Sequence, residues 1–220
     1  MGELAKRRAP VLLGLLLFLS TCPRELAGQS RPAQKDRPIS RIVYDGDMSG
    51  LLAKLAQEFN VNIGLEVYPW RPTIPVKVEL SDPTIADVLD AVVSSAPRYR
   101  WREVEGGYEV SPEGAGCPLL DTRVEEFNVG GVTQAEAVEQ LMNLPEVRSG
   151  MTALNLRYEA RPSRPTRQGG ERFSLSVRGA SLRQVLHQIA GKSGGRFWGF
   201  GRYGNQSDGE VVTLRTPGMW

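Results

Sequence analysis

Two stretches of the chain carry the same alternation of apolar and polar positions. Val76–Trp101 reads VKVELSDPTIADVLDAVVSSAPRYRW, and Phe173–Trp198 reads FSLSVRGASLRQVLHQIAGKSGGRFW. Val78 and Leu80 align with Leu175 and Val177, and residues spaced by two line one face of a strand. Thr84 and Ser181 follow, each three positions before a polar partner, Asp87 or Gln184, as in a capping box. Ile85, Val88, Leu89 and Val92 then match Leu182, Val185, Leu186 and Ile189, the buried stripe of a short helix. Trp101 and Trp198 open a further extended run. Each copy predicts a strand, a capped three-turn helix and a strand.

The flanking patterns complete the two copies. Ile39–Tyr44 alternates as a strand, and Asp47 can cap a helix with stripe Leu51, Leu52, Leu55, Ala56 and Phe59. Val61–Val67 is extended, Tyr68-Pro69-Trp70-Arg71-Pro72 is a rigid aromatic turn, and Tyr99–Val110 is a hairpin turning at Gly106-Gly107. In the second half, Val124–Val129 predicts a strand, and Thr133 to Glu136 a capping box for a helix burying Ala137, Val138, Leu141 and Met142. Ala153–Tyr158 predicts another strand, with Leu154, Leu156 and Tyr158 on one face. A loop from Glu159 to Arg172 leads to the repeated stretch and a hairpin, Arg196–Leu214, with a long tip at Gly201–Gly209. The expected fold is α+β, two small β-α-β-β-α-β(β) modules in tandem after a signal peptide. Two copies at this period indicate tandem domains, since solenoid repeats are shorter and more numerous.

The boundaries follow from composition. Residues 1–28 have the basic start (Lys6, Arg7, Arg8) and short apolar run (Val11–Leu19) of a secretory leader. Leu19-Ser20-Thr21-Cys22 is an alternative lipidation sequence. Residues 29–38 form a polar tether, 39–111 the first module, 112–121 a Pro/Gly linker, and 122–216 the second module. The protein is expected to be exported, and periplasmic, or membrane-anchored if Cys22 is lipidated. Membrane contact is expected only through the leader or that lipid.

Charge changes the picture once the leader is set aside. The chain has 27 Lys and Arg against 25 Asp and Glu. Removing Lys6, Arg7, Arg8, Arg24, Glu3 and Glu25 leaves 23 of each sign. A neutral mature chain has no electrostatic motive for nucleic-acid binding.

The candidate chemistry is sparse. Cys117 lies in the linker and reads as an incidental thiol without a disulfide partner in the mature chain. His187, the single histidine, falls off the apolar stripe of its helix and is expected on the solvated face. Asp87/Asp90 and Glu125-Glu126 read as solvated carboxylates, and Gly130-Gly131 as a tight turn without the lysine of a phosphate loop. No catalytic residue, metal ligand or cofactor is assigned. The candidate binding residues are Tyr68 and Trp70, aromatic anchors on the proline turn, and Arg161, Arg164 and Arg167, an anion-binding surface on the long loop.

On the strand, capped helix and tryptophan-bearing strand of Val78–Trp101, and more loosely Leu175–Trp198, the chain resembles the secretin and TonB short N-terminal domain family. The resemblance covers most of residues 40–110 and 124–215. It implies a small α+β fold and protein–protein contact, with an inner-membrane partner or with neighbouring copies, and no catalytic residues. Secretins and TonB-dependent receptors continue into a β-barrel, whereas this sequence ends at Trp220. The expected function is therefore a non-enzymatic interaction module of the cell envelope, accessory to a secretin, pilus or TonB-type system. It is expected to bind an envelope protein, to self-associate, or both. The alternative is a small-ligand or cell-wall-fragment sensor or enzyme with a site between the modules.

Overall fold

The computed structural model describes residues 40–68, 73–114, 116–159, 171–205 and 209–215. Strand β1 (Arg41–Asp47) ends where the Asp47 carboxylate accepts the Ser49 N–H at 3.1 Å and caps α1 (Met48–Glu58). Asn60, with φ 53°, turns the chain out of the helix, a left-handed conformation that asparagine tolerates. Strand β2 (Asn62–Val67) follows, buried on both faces from Ile63 onward. Strand β3 (Pro75–Ser81) pairs antiparallel with β1. Helix α2 (Ile85–Ser95) carries the full Thr84/Asp87 capping box, and β4 (Tyr99–Val104) and β5 (Gly107–Pro112) form the hairpin expected at Gly106-Gly107.

A 3-10 turn (Pro118–Asp121) leads into β6 (Arg123–Val132) and the capped helix α3 (Gln134–Met142). After α4 (Pro145–Ala153) come β7 (Leu156–Tyr158), β8 (Phe173–Ser181) and α5 (Leu182–Lys192), with the Ser181/Gln184 capping box. The described chain closes with β9 (Phe197–Asn205) and β10 (Gly209–Arg215). The fold is α+β.

Three expectations are corrected. The strand expected over Ala153–Tyr158 is reduced to Leu156–Tyr158, because α4 runs through Ala153 and Leu154 is exposed. Pro145 at the start of that helix and the buried pair Val147 and Met151 were its only strong signals. Gly130-Gly131 is not a turn between elements: it lies inside β6, where Gly131 (φ 63°) accommodates a bulge against β8. The long glycine-rich tip is mostly ladder, with β9 and β10 paired as far out as Asn205 and Gly209.

The strands form one six-stranded sheet, in the order β4-β5-β2-β9-β10-β7, and two two-stranded sheets, β1-β3 and β6-β8. The junction is the parallel pair β2–β9, which registers Ile63 with Phe197, Gly64 with Trp198 and Leu65 with Gly199. Alternation along β9 divides its side chains between two cores. Phe197 is buried with Leu51, Leu55, Val88 and Leu89, while Trp198 and Phe200 are buried with Leu119, Leu141, Leu186 and Val212. Among the described residues no helix is long and apolar enough to cross a membrane.

Candidate functional site

The centre of the large sheet carries a row of side chains set by register. Arg102 of β4 pairs with Glu109 of β5, Glu109 with Gly64 of β2, and Gly64 with Trp198 of β9. Register partners face the same side of a sheet, as do residues two apart, so Glu66 lies on this face as well. A Cβ on Gly64 would overlap the Trp198 indole, so the glycine provides the hollow in which that ring sits.

Helix α5 contributes His187 and Arg183 to this row. The imidazole stands edge-on to Trp198, ring centroids 5.3 Å apart, and its Nε2 is 3.1 Å from Glu109 Oε1. His187 is only 5% exposed, which overturns the expectation of a solvated helix face. The physical reason is that the β4–β5 hairpin brings Glu109 against the flank of α5 beside the apolar stripe. A helix-wheel reading of α5 alone has no access to that contact.

Glu109 is 1% exposed and accepts two bonds from Arg102, Nε at 2.9 Å and Nη2 at 2.7 Å, besides the contact with His187. Arg183 Nη1 lies 3.4 Å from its Oε2. Burial works against the Glu109 charge, but the hydrogen bond from His187, the charge of Arg183 and the bond from Arg102 hold the carboxyl down to about 2. Arg183 also reaches Glu66 Oε2 at 3.6 Å and Asp121 Oδ1 at 3.5 Å. Burial pushes the Glu66 carboxyl up, against the Cys117 N–H it accepts and the charges of Arg183 and Arg202. One guanidinium thus ties β2, β5 and the 3-10 turn together.

Cys117 is not a freely exposed linker thiol. It is 1% exposed, its N–H donates to Glu66, and burial pushes its thiol up. Leu119 and Leu120 beside it are fully buried.

Over this cluster lies a groove of about 1060 Å³. One wall is the run Val177–Ser181 of β8, the second is α5 from Arg183 to Lys192, and the third is the hairpin around Arg102 and Gly106. Asn62 steadies the hairpin by donating from Nδ2 to the Gly106 carbonyl at 3.0 Å.

Of the binding residues read from the sequence, Tyr68 is half-buried and turned onto its own chain. Its hydroxyl donates to Glu210 Oε1 at 3.2 Å, and Arg202 stacks over its ring at 3.7 Å. Trp70, Arg161, Arg164 and Arg167 lie outside the described residues. Tyr68 and the groove residues are therefore not brought into one site. The residues missed by sequence reasoning are Glu66, Glu109 and Arg183. The available signal was a glutamate inside otherwise apolar strand segments, GLEV and YEV, where a buried charge demands a partner. Among the described residues no three of His, Cys, Asp and Glu are grouped so as to hold a metal ion.

No known family model matches the chain, and no curated protein matches its sequence.

Proposed function

We propose that the chain is an exported, non-enzymatic protein–protein interaction module of the cell envelope, accessory to a secretin, pilus or TonB-type system. The observation that carries this reading is the β2–β9 junction, in which two stretches far apart in sequence are joined by adding one strand edge to another. The two-stranded sheets β1-β3 and β6-β8 are small and have further edges to which an extended partner can add. The ionisable cluster points the same way: the buried carboxylates of Glu66 and Glu109 are matched by Arg183 and the exposed Arg102, with His187 against Glu109, which suits a structural clasp better than an acid–base pair. The signal-like leader and the strand, capped helix and tryptophan pattern support the envelope setting.

The test is affinity capture from envelope extracts with the leaderless chain, followed by titration of each purified candidate. One envelope protein should be recovered repeatedly and bind with a saturable isotherm. Repeated capture that yields no such protein overturns the reading.

The alternative, a ligand sensor with a site between the two halves, is favoured by one observation. The groove is lined by β4, β5 and α5 together. A thermal shift with muropeptides or sugars, abolished by a substitution at Lys192, would establish it.

A further inference from the structure

The shape of the groove specifies how a partner would enter it. Its β8 wall consists of five consecutive residues, Val177 to Ser181. Side chains alternate along a strand, so a cavity facing one side of the β6-β8 sheet would be lined by alternate residues only. Both faces are represented here, by buried Val177 and Ala180 and by exposed Arg178 and Gly179. Strand β6, the only strand paired with β8 among the described residues, contributes nothing to the lining. The groove therefore runs along the edge of β8 that faces away from β6. In an antiparallel pair, alternate residues direct their N–H and C=O groups away from the partner strand. No backbone bond from residues 175–180 to another element of the described chain, apart from the β6 ladder, satisfies those groups.

Charge adds a second constraint. The carboxylate of Glu109 is sealed beneath Arg102 and Arg183, and Asp121 lies against Arg183. Lys192, exposed at the far end of α5, has no ion-pair partner among the described residues. The lining as a whole holds Arg102, Arg178, Arg183 and Lys192 against Glu105, Glu109 and Asp121, an excess of one positive charge.

Resting on the interaction reading above, we infer that the open edge of β8 is the docking site for an extended peptide segment of a partner protein. The segment is added as a third strand to the β6-β8 sheet, with an acidic side chain placed toward Lys192. Main-chain hydrogen bonds to β8 supply affinity, and the α5 wall and Lys192 supply selectivity. Gly179, with φ 62°, takes a left-handed conformation within this stretch, and a Cβ there would come up against the Arg123 guanidinium of β6.

The experiment selects random linear dodecapeptides on the full leaderless chain, and follows the enriched peptides by fluorescence polarisation and amide hydrogen exchange. Enriched peptides should carry an Asp or Glu and should protect amides of β8 alone among the strands. Their Kd should weaken at least about tenfold in Lys192→Glu, roughly the cost of turning one attractive charge contact into a repulsive one, and be unchanged in Lys54→Glu on α1. Peptides that bind without protecting β8, or that tolerate Lys192→Glu, overturn this site while leaving the interaction reading in place. Failure to enrich any peptide, while a whole envelope protein is still captured, also overturns it. Failure of both experiments removes the interaction reading itself.

Discussion

Gly64 and Trp198 are register partners across the parallel β2–β9 pair, and the Trp198 indole fills the space that a side chain on Gly64 would need. Glu109 is the partner of Gly64 on its other side, and His187 touches both Trp198 and Glu109. The absence of one side chain therefore sets the geometry at the middle of the sheet.

Gly64→Ala should destabilise the protein by about 1–3 kcal/mol, since an extra methyl forces a large ring out of a packed core. Trp198→Leu in the same chain should recover part of that loss, and the two changes should be clearly non-additive. Urea unfolding of both single variants and the double variant measures this.

Arg183→Ala leaves Glu66 and Glu109 buried with less compensation. Breaking a buried ion pair from one side costs about 3–5 kcal/mol, so Arg183→Ala should be among the most damaging single changes in the second half. Changing Arg183 to Met together with Glu66 and Glu109 to Gln should be much milder than Arg183→Ala alone. Thermal unfolding at neutral pH distinguishes the two outcomes.

The acid limb of stability should report Glu109. Its carboxyl is held at about 2 in the folded protein against an ordinary 4.5. A depressed folded value stabilises above the unfolded value, and that contribution is lost as pH falls from about 4.5 toward 2. The loss is on the order of 3 kcal/mol at 1.36 kcal/mol per unit. Glu66 acts with the opposite sign: its raised value means that protonation favours the folded state, so its contribution weakens as pH rises through and above 4.5. Glu109→Gln should flatten the pH dependence between 4.5 and 2, whereas Glu66→Gln should leave that range unchanged and remove the decline in stability above 4.5. Denaturant titrations on both sides of pH 4.5 read the two effects.

Cys117 should be slow to react. In a chain carrying Cys22→Ser, a disulfide-exchange reagent should modify it only at the rate at which the segment opens, and rapidly in denaturant. Rapid modification under native conditions would contradict the burial of this thiol.

Loss of any of the three capping boxes, by Thr84→Ala, Thr133→Ala or Ser181→Ala, should cost about 1 kcal/mol each. The effects should add, because the caps belong to separate helices. Thermal unfolding of the single and triple variants checks both statements.

The sequence alone determined the features that depend on neighbours in the chain. Asp47, Thr84, Thr133 and Ser181 announce helix starts because a side-chain oxygen two or three residues before a backbone N–H caps it whatever surrounds it. The alternation in β3 and β8 and the stripes of α2 and α5 identified the buried faces for the same reason. Helix α4 was less legible, since two buried apolar residues make too narrow a stripe. Only tertiary structure decided what lies against what. His187 looks solvent-facing on its own helix, and becomes buried because β5 places Glu109 against it. Gly64 has no local signature, since its role depends on a tryptophan brought alongside by parallel pairing. The edge of β8 that has no neighbouring strand among the described residues is likewise set only by strand order, which period-two alternation cannot state.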